Sequence, residues 1–200
     1  MTIILIVNPR DSPMGHSQAE KAASRERILA EASRQIRREG LESVSVGTLM
    51  NSVGLTHGGF YGHFESCAAL LEEALERALL EGEANVQASG PPAHFATMVR
   101  GYLSRAHRDA RDSGCAVAAL VADAARAEDG PRAIMSRHVE AFIASVAHTL
   151  DEDEARAIVA VSAMVGALAL SRVVADPARS DTILKLVRDH LDALGSGEVR

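Results

Sequence analysis

One short stretch gathers most of the side chains suited to meeting a charged polymer. Residues 46–65 read VGTLMNSVGLTHGGFYGHFE. Hydroxyls and imidazoles such as those of Thr48, Thr56, His57, Tyr61 and His63 can donate to phosphate oxygens, and some reach base edges. Gly54 marks a turn, because glycine enters the positive-φ region without a Cβ clash. Leu49 and Val53 before it, Leu55 in it and Phe60 after it can pack together and fix how two short helices cross. The second helix then presents Thr56, His57, Gly58, Tyr61 and His63 outward. This is a helix-turn-helix arrangement, whose second helix enters the major groove. Ser45 and Thr48 open the preceding helix, and helix N-termini bind anions, so both are expected to donate to phosphates. Thr56 is expected to cap the second helix and to touch a phosphate. Gly58 and Gly59 each disfavour a helix by about 1 kcal/mol relative to Ala. Their presence makes sense if the backbone approaches its partner closely.

Other chemistries find little support. Gly-rich phosphate signatures and nucleophile elbows are absent, so no catalytic residue is expected and the chain does not read as an enzyme. The eight histidines are scattered. None pairs with another and an acidic partner at metal-ligand spacing, and His57 and His63 are not spaced for one ion. No metal or cofactor is expected. Two cysteines cannot build a disulfide scaffold, and a reduced, cytoplasmic protein is the default. Cys115 follows Gly114 at a helix start, a setting known for reactive thiols. It reads either as an oxidant- or electrophile-sensing group or as a small buried hydrophobe; Cys67 has the same two readings.

The elements that must hold the stretch are helical. Ile28, Leu29, Ala32 and Ile36 recur at helical spacing, and Gly40 ends that helix. Leu70, Leu71, Ala74, Leu75, Ala78 and Leu79 mark a longer helix. Gly90-Pro91-Pro92, Gly114 and Gly130-Pro131 are breaks. Stripes follow through Phe95 to Ala106, through the Ala/Val-rich segment 115–127, and through Ile134 to Val146. An acidic run at 151–154 precedes a helix to about residue 175, stopped by Pro177. Ile183, Leu184, Val187, Leu191 and Leu194 mark the last helix. No segment alternates as a strand. The expectation is an all-α fold of about nine helices, an N-terminal helix-turn-helix head on a larger helical body.

Length and charge set bounds on that reading. The 200 residues are 47% hydrophobic and carry a formal net charge of −6. Charged residues, at 24%, argue against global disorder. With 3% aromatics and no Trp, stacking on single strands does not dominate. No charge-free apolar run approaches membrane-spanning length, so no membrane partner is expected. Acidity alone argues against a nucleic-acid partner, but it is unevenly placed. Residues 1–70 hold seven Lys+Arg and seven Asp+Glu; the remainder holds fourteen and twenty. The head is neutral and the body acidic.

The segment from Arg25 to Leu71 resembles the DNA-binding head of TetR-family transcriptional regulators. The carrying residues are Arg27-Ile28-Leu29, Gly40, Val44-Ser45-Val46, Leu49, Val53-Gly54-Leu55-Thr56, Phe60-Tyr61-Gly62-His63-Phe64 and Leu70-Leu71. The tyrosine-x-histidine-phenylalanine element is the specific part. Two positions depart from the family pattern. Met50 replaces a small residue and must repack the turn. Cys67 stands where a phosphate-contacting lysine is usual, so affinity or its salt dependence is reduced.

The resemblance implies that Tyr61 and His63 contact phosphates and that His57 or Thr56 lies near base edges; Phe60 and Phe64, as large apolar side chains, are expected to be core. It implies a homodimer on a double-stranded, palindromic DNA operator, through helices at about 152–175 and 180–194. The first of these is apolar on more than one face, so it is buried, either in a dimer or inside a monomer. It further implies a small-molecule effector in a pocket lined by Phe95, Met98, Tyr102, Cys115, Phe142, Val146 and Met164, with Tyr102, Arg137 or His138 as polar anchors. The function read here is a ligand-responsive regulator, a repressor released by a hydrophobic effector. The alternative is a helical small-molecule-binding or thiol-sensing protein with weak DNA binding. The expected domains are a flexible leader at 1–20, with Met14 a plausible natural start, the head at 21–67, the effector-binding and dimerisation body at 68–195, and a tail at 196–200.

Overall fold

The computed structural model describes residues 14–88 and 94–195. The tail at 196–200, most of the leader and the Gly90-Pro91-Pro92 break lie outside the described residues. Nine α-helices appear among those described: α1 (Met14–Glu39), α2 (Val46–Ser52), α3 (Cys67–Ala88), α4 (Phe95–Tyr102), α5 (Arg105–Asp109), α6 (Ala116–Arg126), α7 (Asp129–His148), α8 (Glu154–Val173) and α9 (Pro177–Gly195). Two 3-10 turns, Leu41–Ser43 and His57–Gly62, complete the head, and no strand occurs among the described residues. The fold is all-α, as the apolar periodicity predicts.

Local chemistry explains the boundaries. α1 ends where Gly40 takes φ +95° and its N–H reaches the Ile36 carbonyl at 2.8 Å. Gly54, at φ +73°, supplies the expected turn. Asp153 caps α8 by accepting the Arg156 N–H at 3.0 Å.

Four boundaries differ from expectation. α1 takes in residues 14–20, which were assigned to the leader; no proline interrupts the chain there, and the helix extends back from its buried part. Gly130 and Pro131 fall in the first turn of α7, where a missing N–H costs nothing, so they open a helix instead of breaking one. Pro177 opens α9 for the same reason. The Phe95 stripe stops at Tyr102 because Ser104 caps the separate α5, accepting the His107 N–H at 3.1 Å.

Two apolar clusters hold the molecule. The first joins Ile28, Ala32 and Ile36 of α1, Leu49 and Met50 of α2, Phe60 and Phe64, and Leu70 to Leu79 of α3 to Leu120 and Ala124 of α6. The second joins α4, α7, α8 and α9 around Met98, Tyr102, Val146, Met164, Leu168, Leu184 and Leu191. The head therefore shares a core with α6 and α7, and α3 serves both halves without interruption. α8 is by length and composition apolar enough to cross a bilayer, contrary to the expectation from charge-free runs. In the bundle its Ala157, Ala160, Val161, Met164, Ala167 and Leu168 are buried.

Candidate nucleic-acid interface and ligand cavity

The interface is built on a packed wedge. Phe60 is fully buried, stacked on Phe64 at 5.7 Å between ring centroids and edge-on to Tyr61 at 5.2 Å. This anchors the 3-10 turn His57–Gly62 against α2. The expected second helix is a 3-10 turn because Gly58, Gly59 and Gly62 lower the α-helical preference of a six-residue segment. Gly59 has a specific neighbour: a Cβ there stands 3.7 Å from the Met50 Cε. Met50 is wholly buried and packs in the core of the head, in ordinary contact distance of that position. Around Gly58 nothing lies within 4 Å of a Cβ, which leaves its face open.

Ser45, Thr48, Thr56, His57, Gly58 and Tyr61 are all exposed on this side of the head, Tyr61 at 69%. Ser45 and Thr56 occupy N-cap positions, but neither side chain makes the capping bond. The expected capping by Thr56 is therefore not formed. His63 is half-buried, and its Nδ1 is buried without a hydrogen-bond partner. Burial first, then the nearby Lys21 and Arg25, holds its pKa below the ordinary imidazole value.

Arg25 was missed as a site residue. Its Nε donates to the His63 carbonyl at 3.3 Å, and its Nη2 pairs with Glu73 at 2.6 Å. Its guanidinium lies 4.6 Å from the Phe64 ring centre. It ties the C-terminal end of the turn to α1 and α3. A lone arginine in an amphipathic helix carries no pattern that announces this. Cys67, half-exposed, begins α3 directly behind the turn.

A cavity of about 260 Å³ opens in the body between α3, α4, α6 and α7. Four of the expected lining residues, Met98, Tyr102, Cys115 and Phe142, line it. Phe95, Val146 and Met164 do not. They are buried in the second cluster, a reminder that an apolar stripe serves packing before it serves a pocket. Of the expected anchors, Tyr102 and His138 line the cavity, whereas Arg137 pairs with Glu76 outside it.

The polar side of the cavity is highly organised. The Tyr102 hydroxyl donates to the Cys115 Sγ at 3.1 Å. Burial pushes the Tyr102 phenol well above its ordinary pKa. His107 Nδ1 lies 2.8 Å from the Tyr102 carbonyl, and its Nε2 lies 3.0 Å from the Cys115 backbone N. A carbonyl only accepts and an amide N–H only donates, so Nδ1 carries the proton and Nε2 is bare. Burial also lowers the His107 pKa, reinforcing the neutral ring. His138 sits between two carboxylates of α3, with Nδ1 2.6 Å from Glu83 and Nε2 3.2 Å from Glu76. His107 and Glu83 were not anticipated, because only tertiary packing brings them to the cavity.

Two structural links run from this cavity to the head. α3 contributes Leu79, Gly82 and Glu83 to the cavity and begins at Cys67 behind the recognition turn. α6 contributes Ala116 and Val117, and further along it the Asp123 carboxylate accepts the Leu41 N–H at 3.2 Å.

The structure joins a helix-turn-helix head to an all-helical body that holds a cavity. Residues 28–74 match the family model described as bacterial regulatory proteins, tetR family. The structure is similar to that of Escherichia coli NemR in its reduced form (TM-score 0.70, 19% identity, covering 84% of this chain and 95% of that one). It also resembles TetR-family transcriptional regulators from Chloroflexus aurantiacus (TM-score 0.70, 20% identity, 86% and 94% covered) and Streptomyces coelicolor (TM-score 0.67, 23% identity, 92% and 96% covered). No curated protein shows significant similarity to the chain. The match to the tetR-family model is thus confined to the head, and the whole chain shares the fold of these regulators.

Proposed function

We propose that the protein is an effector-responsive repressor that binds a palindromic operator as a homodimer. The observation that carries this reading is the pairing of an exposed polar face on the head with a cavity lined by α3, the helix that begins just behind that face. Tyr61 and His63, with Ser45, Thr48 and Thr56, would hold phosphates; His57 and the open backbone at Gly58 would lie nearest the base edges. The acidic body is repelled by DNA, which leaves the neutral head to dock.

One recognition turn reads too few bases for useful specificity, so two heads are needed. α8 and α9 supply a surface for pairing. Val159, Ser162, Ala163, Gly166, Leu170 and Val173 recur at helical spacing along one face of α8. Val159 is 56%, Leu170 59% and Val173 82% exposed in the single chain, and Leu186 of α9 is 58% exposed. A large apolar stripe of this kind marks an association surface, and the small residues at its centre permit close helix approach. Burial within one protomer leaves this stripe uncovered, which favours the dimer. DNA as partner implies a cytoplasmic location.

The test is selection of duplexes from a random pool, followed by titration at rising salt. Enrichment of an inverted repeat, with affinity falling as salt rises, supports the reading. Failure to enrich any duplex over random DNA at low salt overturns it.

A second reading is favoured by the Tyr102 hydroxyl on the Cys115 sulfur inside the cavity. Here the effector is a soft electrophile such as an activated alkene. The sulfur electron pair forms a C–S bond to the β carbon, and the thiol proton ends on the α carbon. Electrophile-induced DNA release that survives in both Cys115→Ser and Cys67→Ser excludes this route.

A further inference from the structure

The cavity's hydrogen-bonding capacity is unbalanced. Both nitrogens of His107 are committed to backbone groups, and both nitrogens of His138 face carboxylates. The Tyr102 hydroxyl proton is spent on Cys115. Among the described residues no lysine or arginine lines the space; Arg172, near Tyr102 and Cys115, spends its guanidinium on the His107 and Arg108 carbonyls. What remains is mostly acceptor: the second carboxylate oxygen of Glu83 and the lone pairs of the Tyr102 oxygen, beside the Ser145 hydroxyl. Glu76 has Arg137 as a partner on its outer side, whereas among the described residues Glu83 pairs only with His138. An anionic ligand would meet a carboxylate and few donors. The apolar walls are Leu79, Met98, Val117 and Phe142, and the Tyr102 and Phe142 rings lie 5.6 Å apart at an angle of 33°.

We propose that the cavity selects an aromatic organic cation, its ring among Tyr102, Met98 and Phe142 and its ammonium group on the Glu83 carboxylate. This rests on reading the cavity as the effector site and names the chemical class that site accepts. The aromatic walls suit the ligand's ring by offset or edge contact. The half-exposed Glu83 supplies the charge-assisted bond that an alcohol of the same shape cannot match.

The test is calorimetric titration of the full chain with three ligands of one shape: 1-naphthylmethylammonium, 1-naphthylmethanol and 1-naphthoate. The ammonium is expected to bind about ten-fold more tightly than the alcohol, and the carboxylate most weakly of the three. Glu83→Gln keeps the shape and the acceptor for His138, and it should bring the ammonium down to the alcohol's affinity while leaving the alcohol unchanged. A Cβ at Gly82 would stand in ordinary contact with the backbone of Gly114, Cys115 and Ala116, the nearest atom at 3.8 Å, and Gly82 itself lines the cavity. Gly82→Leu should therefore crowd the space and abolish binding of both ligands, with circular dichroism and the melting transition showing that the variant is folded. Equal or tighter binding of the carboxylate, or an unchanged ammonium preference in Glu83→Gln, overturns the cation proposal; alcohol binding that Gly82→Leu abolishes then leaves the effector site standing. Binding of none of the three, or binding that persists in Gly82→Leu, overturns both.

Discussion

The Asp123 carboxylate of α6 accepts the Leu41 backbone N–H at 3.2 Å, joining residues 82 positions apart. The same oxygen stands 2.7 Å from where a Cβ on Gly40 would be. One end of α6 thus borders the cavity, while this carboxylate caps the turn that leads into α2. The contact ties the body to the reading head at the point where α1 stops.

Asp123→Ala should therefore do two things. Loss of a charge-assisted bond to a backbone donor costs about 1–2 kcal/mol, read as a fall in melting temperature. It should also shrink the ratio of DNA affinities measured without and with effector. Gly40→Ala should cost at least about 1 kcal/mol, since it adds both a left-handed backbone penalty and a clash. In the double variant the clash disappears and the backbone penalty stays, so the two costs should fall short of additivity. Strict additivity in a double-mutant cycle would show that the two residues do not meet.

Tyr61→Ala tests the DNA face. Tyr61 is mostly exposed and touches Phe60 only edge-on, so folding should lose less than about 1 kcal/mol. Affinity should fall for all duplexes alike, and the slope of affinity against salt should stay the same, because a neutral phenol releases no counterion. Unchanged affinity, or a sequence-selective loss, removes Tyr61 from the phosphate contacts.

Much of this face was legible in residues 46–65. Gly54 was readable because a turn needs positive φ, and Phe60 and Phe64 because large apolar residues beside a polar face must pack. What local pattern does not encode is partnership across the fold. Arg25 looks like any surface arginine in an amphipathic helix until Glu73, Phe64 and the His63 carbonyl converge on it. The body shows the converse difficulty. Phe95, Val146 and Met164 have the same spacing and chemistry as Met98 and Phe142, and only the arrangement of four helices decides which of them face a void.

Leu170→Glu together with Leu186→Glu should split the proposed dimer. Both side chains are more than half exposed in the single chain, so the fold should survive and sedimentation should report a monomer. DNA affinity should drop with the dimer, by far more than a single lost contact explains. A variant that stays dimeric moves the pairing surface elsewhere.

His107 makes the protein acid-sensitive. Its folded pKa lies below the ordinary value of 6.5, so the unfolded chain binds the proton more readily. Stability from this group is full above that value and is lost as pH falls through it. Protonation would also set an N–H against the Cys115 N–H. Melting temperature should therefore decline below about pH 6.5. His63, shifted the same way, adds to this decline. In His107→Gln, destabilised at neutral pH, the decline should be shallower; an equally steep decline would assign the effect to other groups.

α3 runs unbroken from Cys67 to Ala88. At about 1.5 Å per residue, Gly82 at the cavity is roughly 22 Å from Cys67 behind the recognition turn. A tilt of about 5° at the cavity end sweeps the head end through about 2 Å on such a rod. In a two-fold pair both heads move at once, and the repeat of the double helix does not follow. Operator release then needs no melting of either head. Amide exchange in residues 28–64 should be the same with and without effector, even as the DNA falls away.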